Sequence, residues 1–526
     1  MTHLPRSCRC ALFLALLHGA SSLSHAQTVS FRPELPGLER LGKVKPLRST
    51  QVRGSYWGIQ AGSFEDTVLE KASALGVKWT RLEASWPSIE KEPGKYDWSR
   101  TDVAFDATLR YGITPFVTLV GGNGLYAPVL HYDDPQQAEI YGERPAPPTN
   151  NERAMAAWLR FVEAAIARYK DKIRYWEVWN EPNHRAYWGA PPDAADYGRL
   201  LRETATIIKR IEPAAKVIGG ATAGMNAPFV DSYLSAGTEH LIDIISYHQY
   251  EGEPEERILL MAKLRAVIDR HNPAIATWQG ECGYPSASST RDYRGVAPWG
   301  PYIQAKWLLR QAFSDVFLSR SEVSNYFLLY SGGNRNERQP RSSLSPAERT
   351  IGYYPVRPDG NSIGARARRV GVNEKSLLDS GSSVAKPAYY AYRTLCAVLD
   401  KTYTPLARET QVEVLDPGIF DGIGPSDDAF PSVPIVASFA RPAGTALLAY
   451  WLPWHGQEYL PRLAKVRLQI RSTVFQAAVL IDPITGEVFR LPRPRANGGL
   501  TIFDNLPLAD YPFLIAERSA IAIDEQ

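Results

Sequence analysis

Cysteine is scarce in this chain. There are four in 526 residues, and Cys8 and Cys10 both stand close to the amino terminus. Cys282 and Cys396 remain, one at the end of an apolar strand pattern and the other inside a helical one. Two buried thiols are therefore expected, and a disulfide-stapled scaffold is excluded. Histidine is also sparse, at nine, and none shows the paired spacing of a ligand set, so neither a metal nor a cofactor is expected. No Gly-x-Ser-x-Gly elbow or Cys–His pairing marks a serine or cysteine nucleophile. The net charge of +3 is small for this length. No basic run is interleaved with aromatics, so nucleic acid is not an expected partner. Past residue 26 no apolar run approaches the length of a membrane span.

What is present begins with an export pattern. Arg6 and Arg9 are followed by an apolar stretch over 10–17, and Ser24-His25-Ala26 offers small residues around a cut before Gln27. The expectation is a signal peptide over 1–26 and an exported protein, periplasmic or extracellular. Prolines in 27–53 suggest an extension that wraps onto a later domain. From 54 to 400, short apolar strands alternate with amphipathic helices. Strands are expected over 56–62, 78–84 and 113–120, at Tyr175, over 216–221 and 242–250, at Ala274, and over 323–330. Helices with 3.6-residue spacing are expected over 64–75, 155–170, 197–211, 256–270, 302–319 and 385–399. Eight such units fit an α/β fold of the (β/α)8 TIM-barrel type. A doubly wound open sheet is the runner-up, but no glycine-rich phosphate fingerprint follows the first strand. From 401 to 526 the pattern changes to short strands split by Pro and Gly turns, over 434–439, 446–452, 464–470, 476–481, 487–491, 500–503 and 512–516. That spacing predicts a smaller antiparallel β-sandwich. A basic insertion, 331–384, follows strand eight. It reads either as a lid or subsite wall favouring anionic sugars such as uronates, or as a solvated loop.

Chemistry concentrates in two stretches. Tyr175-Trp176-Glu177-Val178-Trp179-Asn180-Glu181-Pro182-Asn183 begins as a buried strand and stops at a proline, which has no N–H for the ladder. Ala274-Ile275-Ala276-Thr277-Trp278-Gln279-Gly280-Glu281-Cys282-Gly283 has the same form: an apolar strand, a glutamate, then a glycine turn. Two carboxyls at two strand ends are what acid/base cleavage of a glycosidic bond requires. The 13 Trp and 27 Tyr supply rings on which sugar C–H faces stack, although large barrels also bury aromatics.

Trp176-Glu177-Val178-Trp179-Asn180-Glu181-Pro182 resembles the strand-four motif of the clan of retaining (β/α)8 glycoside hydrolases, most closely family 39 and relatives that act on bacterial exopolysaccharides. Residues 78–86 and 92–98 resemble the second βα unit of those enzymes. The resemblance implies that Glu181 is the acid/base and Glu281, ending strand seven, the nucleophile. It also implies that Arg81 and Tyr250 hold the nucleophile, that Asn180 bonds the sugar 2-hydroxyl, and that His248 contacts the sugar. Glu181 has to hold a proton before cleavage, which partial burial and the neighbouring anion favour, whereas Glu281 has to stay ionised and so needs donors around it. Arg81 has an alternative partner in Glu83 or another barrel acid. Glu177 reads as a structural glutamate inside the barrel.

In a flat strand Asn180 and Glu181 point to opposite faces, so both reach one site only if the strand end twists or bulges. Trp86, Trp278 and Tyr330 are candidate sugar platforms or barrel packing. The sequence departs from the family at three places. Cys282 follows the nucleophile, strand eight lacks a tryptophan, and strand three ends in Val120-Gly121-Gly122-Asn123 without histidine. These departures bear on the sugar more than on the mechanism. The expected partner is a poly- or oligosaccharide. A non-catalytic polysaccharide-binding barrel and a transglycosylase using the same intermediate are the rival readings.

Overall fold

The computed structural model describes residues 30–35, 37–131, 133, 144–250, 252–286, 299–331, 375–379, 383–420, 433–442, 444–454 and 456–525. The signal peptide expected over 1–26 and most of the 331–384 insertion lie outside them.

Eight parallel strands close into a barrel in sequence order: Trp57–Ile59, Trp79–Ser85, Thr114–Val120, Tyr175–Val178, Lys216–Ala223, Ile244–His248, Ala276–Cys282 and Val323–Tyr326. They are called strands one to eight below. Each falls within or beside a stretch expected from the sequence, because a strand buried on both faces must be apolar throughout. Inward-facing residues are layered. The floor is Trp79, Phe116, Ile218, Ile244, Trp278 and Val323. Trp278 is its hub, with ring centroids 5.0 Å from Trp79, 5.3 Å from Tyr175 and 5.5 Å from Phe116. Above this dry plug the inward positions turn polar. The opposite parity faces outward into an aliphatic and aromatic layer against the helices.

The carboxyl-terminal part forms two antiparallel sheets, one of eight strands and one of four. Strand Glu39–Val44 precedes the barrel in sequence, yet it pairs with Glu487–Arg490 and with Ile523–Asp524 in the larger sheet. Strand Thr410–Asp416, which the sequence reading passed over, pairs with Ala464–Arg471. The helix expected over 302–319 is α-helical only over Pro301–Phe313 and continues as the π-turn Ser314–Leu318. Cys282 and Cys396 are free, buried thiols. Among the described residues no helix is long and apolar enough to cross a membrane.

The sandwich rests on helix Pro301–Phe313, whose residues are buried from Ile303 onward. Burying a helix all round also buries its polar side chains, and two of these, Arg310 and Lys306, are paired across the junction. Arg310 donates to Glu255 at 2.7 and 2.6 Å, to Glu253 at 2.9 Å and to the Trp454 carbonyl at 2.7 Å. Trp451 of the sandwich donates its indole N–H to Glu255 at 2.7 Å. Lys306 pairs with Asp510 at 2.9 Å. Arg310→Ala strands the Glu255 carboxylate without its cation, so a loss of about 3–5 kcal/mol is expected. It is read as a lower denaturant midpoint, and an unchanged midpoint would show that the pair does not hold the domains together.

Candidate active site

Strand four ends at Val178, and the chain then does something no flat strand does. Trp179 and Glu181 both take left-handed backbone angles, φ 69° and 44°. For residues with a side chain this costs about 1–3 kcal/mol each. The surroundings fix it in place. The Trp179 N–H still donates to Leu119 of strand three and the Glu181 N–H to Ala221 of strand five, each at 2.9 Å. The Trp179 indole is packed between Trp158 and Trp188, at 5.9 and 5.3 Å. Asn183 clamps the turn by exchanging two hydrogen bonds with the Ala223 backbone, at 2.9 and 2.8 Å. The two left-handed residues rotate successive side chains to the same side. Asn180 Oδ1 accepts from Arg81 at 2.9 Å, and Glu181 Oε1 lies 2.9 Å from His248 Nδ1.

Two bulges complete the alignment. Strand five carries one extra residue, Ala221, against strand six, and its carbonyl receives the Glu181 N–H. Strand seven carries one extra residue against strand eight between Gln279 and Cys282, the segment holding Glu281. A bulge re-aims a side chain at a sheet end, and here it directs Glu281 into the barrel mouth. Gly280 is required beside it, because a Cβ there would collide with Ser246 Oγ and lie 3.2 Å from His248 Nε2.

The Glu281 carboxylate is surrounded by donors. Tyr250 O–H donates to Oε1 at 2.5 Å, while Gln60 and Arg81 donate to Oε2 at 3.1 and 3.2 Å. Burial alone would push its pKa up. The electrostatic influence of His248 and Arg81 and the hydrogen bonds from Tyr250 and Gln60 outweigh it, holding the group below the ordinary glutamate value. Burial, with Glu281 adjacent, pushes the Tyr250 phenol well up, so it stays a donor. Burial works against the charge on Arg81, yet Glu177 and Glu281 hold it protonated.

Glu177 lies beneath, fully buried, accepting from Arg81 Nε at 2.6 Å and Thr118 at 2.7 Å. Arg81 thus spans the buried Glu177, Asn180 and Glu281. Glu181 is 8% exposed and the Glu281 side chain 17%, so both remain within reach of a ligand from the barrel mouth.

The structure therefore brings together Glu181, Glu281, Asn180, Arg81, His248 and Tyr250. It does not bring Trp86 or Trp278 to the cleft. Trp86 is fully buried, donates to Glu90 at 2.6 Å and stacks on Tyr126 at 5.6 Å. Trp278 is the hub of the barrel floor. Tyr330 is half-buried near the end of strand one, where its carbonyl lies against Gly62, and it takes no part in the network of the two glutamates. Two residues at the site were not singled out from the sequence. Gln60 follows strand one, with only its place at a strand's carboxyl end as a signal. Lys375, from the described end of the insertion, sits 4.0 Å over the Tyr250 ring.

A closed parallel barrel with glutamates at the ends of strands four and seven has the architecture of the (β/α)8 glycoside hydrolases. A likeness to one family among them is found by sequence. The model of glycosyl hydrolases family 39 matches residues 89–272, so the resemblance read from the sequence is borne out. The match takes in Glu181, His248 and Tyr250 and stops before Glu281. Among curated proteins the chain is 31% identical over 117 residues to the aryl-phospho-beta-D-glucosidase BglA of Bacillus subtilis, covering 21% of each chain. It is 27% identical over 160 residues to a beta-xylosidase of Geobacillus stearothermophilus, covering 30% of this chain and 31% of that one. These matches span about a fifth to a third of the relatives' lengths. A solved family 39 glycoside hydrolase from Bacteroides cellulosilyticus superposes with a TM-score of 0.61 at 17% identity, over 90% of this chain and 83% of that one. That likeness establishes the fold, a TIM barrel followed by a β-sandwich.

Proposed function

We propose that the protein is a retaining glycosidase acting on a β-linked oligo- or polysaccharide, with Glu281 as nucleophile and Glu181 as acid/base. The observation that carries this is the contrast between the two carboxyls. Glu281 is held ionised by three donors, whereas Glu181 shares one hydrogen bond with an imidazole nitrogen that can stand on either side of a proton transfer. In the first step Glu281 forms a bond to the anomeric carbon as the glycosidic C–O bond breaks, and the leaving oxygen takes the proton of Glu181. In the second, water gives a proton to the Glu181 carboxylate, its oxygen bonds the anomeric carbon, and Glu281 departs. Asn180, its carbonyl oxygen occupied by Arg81, has its amide N–H groups to offer a sugar hydroxyl. The expected result, followed by proton NMR on an aryl β-glycoside, is that the first product to accumulate has the substrate's anomeric configuration. A product of inverted configuration would overturn the double displacement. Binding without released reducing ends would favour a non-catalytic barrel.

A further inference from the structure

Strand two carries a third carboxyl that the two-glutamate mechanism does not use. Its residues alternate strictly: Leu82 and Ala84 face the outer hydrophobic layer, whereas Trp79 faces the barrel floor and Arg81 the active site. Glu83 has the parity of Trp79 and Arg81 and lies one step nearer the carboxyl-terminal rim. Its side chain therefore points into the barrel mouth above Arg81. It is exposed, and among the described residues it accepts no hydrogen bond and forms no close ion pair. It is not a surface carboxylate, however. Enclosure by protein raises its pKa, Arg81 pulls it back, and Glu281 and Glu177 push it up further, leaving it raised. A side chain open to water yet crowded by protein and by the nucleophile's charge stands free inside a cleft. Among the described residues the neighbouring carboxylates are tied down: Glu177 by Arg81 and Thr118, Glu281 by Tyr250, Gln60 and Arg81, and Glu181 by His248.

We propose that Glu83 is a specificity residue of the sugar-binding cleft, which accepts hydrogen bonds from hydroxyls of a carboxylate-free sugar ring seated against Glu281 and excludes a uronate there. The proposal rests on the glycosidase reading above. A carboxylate presents two oxygens with about four acceptor sites, which suits a pair of neighbouring hydroxyls. The same group repels a ligand carboxylate brought beside it and Glu281, because like charges held close together are unfavourable. An anionic sugar favoured by the basic insertion would thus have to bind outside this subsite.

The experiment compares wild type, Glu83→Ala, Glu83→Gln and Glu281→Gln on nitrophenyl glycosides, their singly deoxygenated analogues and the matching uronides. For wild type, removing the hydroxyl that Glu83 binds is expected to lower kcat/KM by about 10- to 100-fold. In Glu83→Ala that same deletion costs about threefold or less, while deletions at other positions keep their cost. The uronides are cleaved at least about 100-fold more slowly by wild type, and both Glu83 variants narrow that gap. A general loss of structure would lower all substrates together and leave the deoxy profile unaltered. An unaltered profile, or a wild type that prefers uronides, overturns the role of Glu83 while leaving the glycosidase reading intact. A wild type that cleaves nothing, matching Glu281→Gln, overturns both.

Discussion

Glu281→Gln is expected to abolish turnover, with kcat/KM falling by about 10⁴-fold or more, the scale on which loss of a nucleophile is felt. The substitution keeps the side chain's shape, and its effect is chemical. A neutral amide cannot form the glycosyl–enzyme bond, and the donors from Tyr250, Gln60 and Arg81 then face a group with one acceptor oxygen and an NH2. Fold stability is expected to be retained. Arg81 keeps its second carboxylate, Glu177, at 2.6 Å, so no buried cation is orphaned, and the desolvation cost of ionised Glu281 disappears. Circular dichroism with thermal melting, run beside an aryl glycoside assay, separates the two effects. A variant that melts like wild type and keeps more than about a tenth of its rate would remove Glu281 from the mechanism. This test matters because the family 39 match ends at residue 272. The proposed role of Glu281 as nucleophile is supported by its place among donors at the end of strand seven and by a sequence resemblance that the family match does not reach.

Much of this site was legible because its signals are local. A run such as Tyr175-Trp176-Glu177-Val178, apolar on both parities apart from one glutamate, has to be a strand inside a parallel sheet. The Asn-Glu-Pro that follows has to end it. Arg81 and Tyr250 were legible through the family resemblance, and Glu177 by its parity. What was not legible depends on register and depth. Nothing in the sequence announces left-handed angles at Trp179 and Glu181, since neither is glycine. The sequence posed the problem of aiming Asn180 and Glu181 together without showing its solution. The bulges at Ala221 and beside Glu281 are equally silent, because an extra residue is defined only against a neighbouring strand. Trp278 faces inward but lies below the polar layer, so parity alone could not separate floor from sugar platform. Glu83 was weighed only as a partner for Arg81, because in sequence a glutamate two residues from an arginine reads as an ion pair. Strand Thr410–Asp416 alternates half-buried and exposed residues and lacks the apolar run that marked its neighbours. The helix that begins at Pro301 was read only from its 3.6-residue spacing, which does not announce that Lys306 and Arg310 meet Asp510 and the Trp454 carbonyl of the sandwich.

The site also explains why strained backbone is kept at Trp179 and Glu181 when relaxed angles would favour stability. A relaxed strand end would send Glu181 away from His248 or Asn180 away from Arg81, and either loses a group that the proposed chemistry needs on the same side of one sugar. The surrounding indoles, the Asn183 clamp and two backbone hydrogen bonds supply the compensation, as expected where strain serves function.

Glu181→Ala is expected to separate the two steps by their dependence on the leaving group. For a substrate whose departing group is another sugar or an alkyl alcohol, the bond cannot break well without a proton on the leaving oxygen, so the rate falls by about 10²–10⁴-fold. A dinitrophenyl group leaves without that proton, and Glu281, still held by Tyr250, Gln60 and Arg81, attacks nearly unimpaired. The covalent intermediate then accumulates, because water has lost the carboxylate that would take its proton. A rapid burst of dinitrophenol followed by a slow steady rate is the expected trace, and mass spectrometry should find the glycosyl group on Glu281. Azide needs no base and fits the space left by the removed carboxyl, so it should restore the steady rate and give a glycosyl azide of the substrate's configuration. A loss of equal size for every leaving group, with no burst and no azide rescue, would mean that Glu181 holds the site's shape through His248 and transfers no proton.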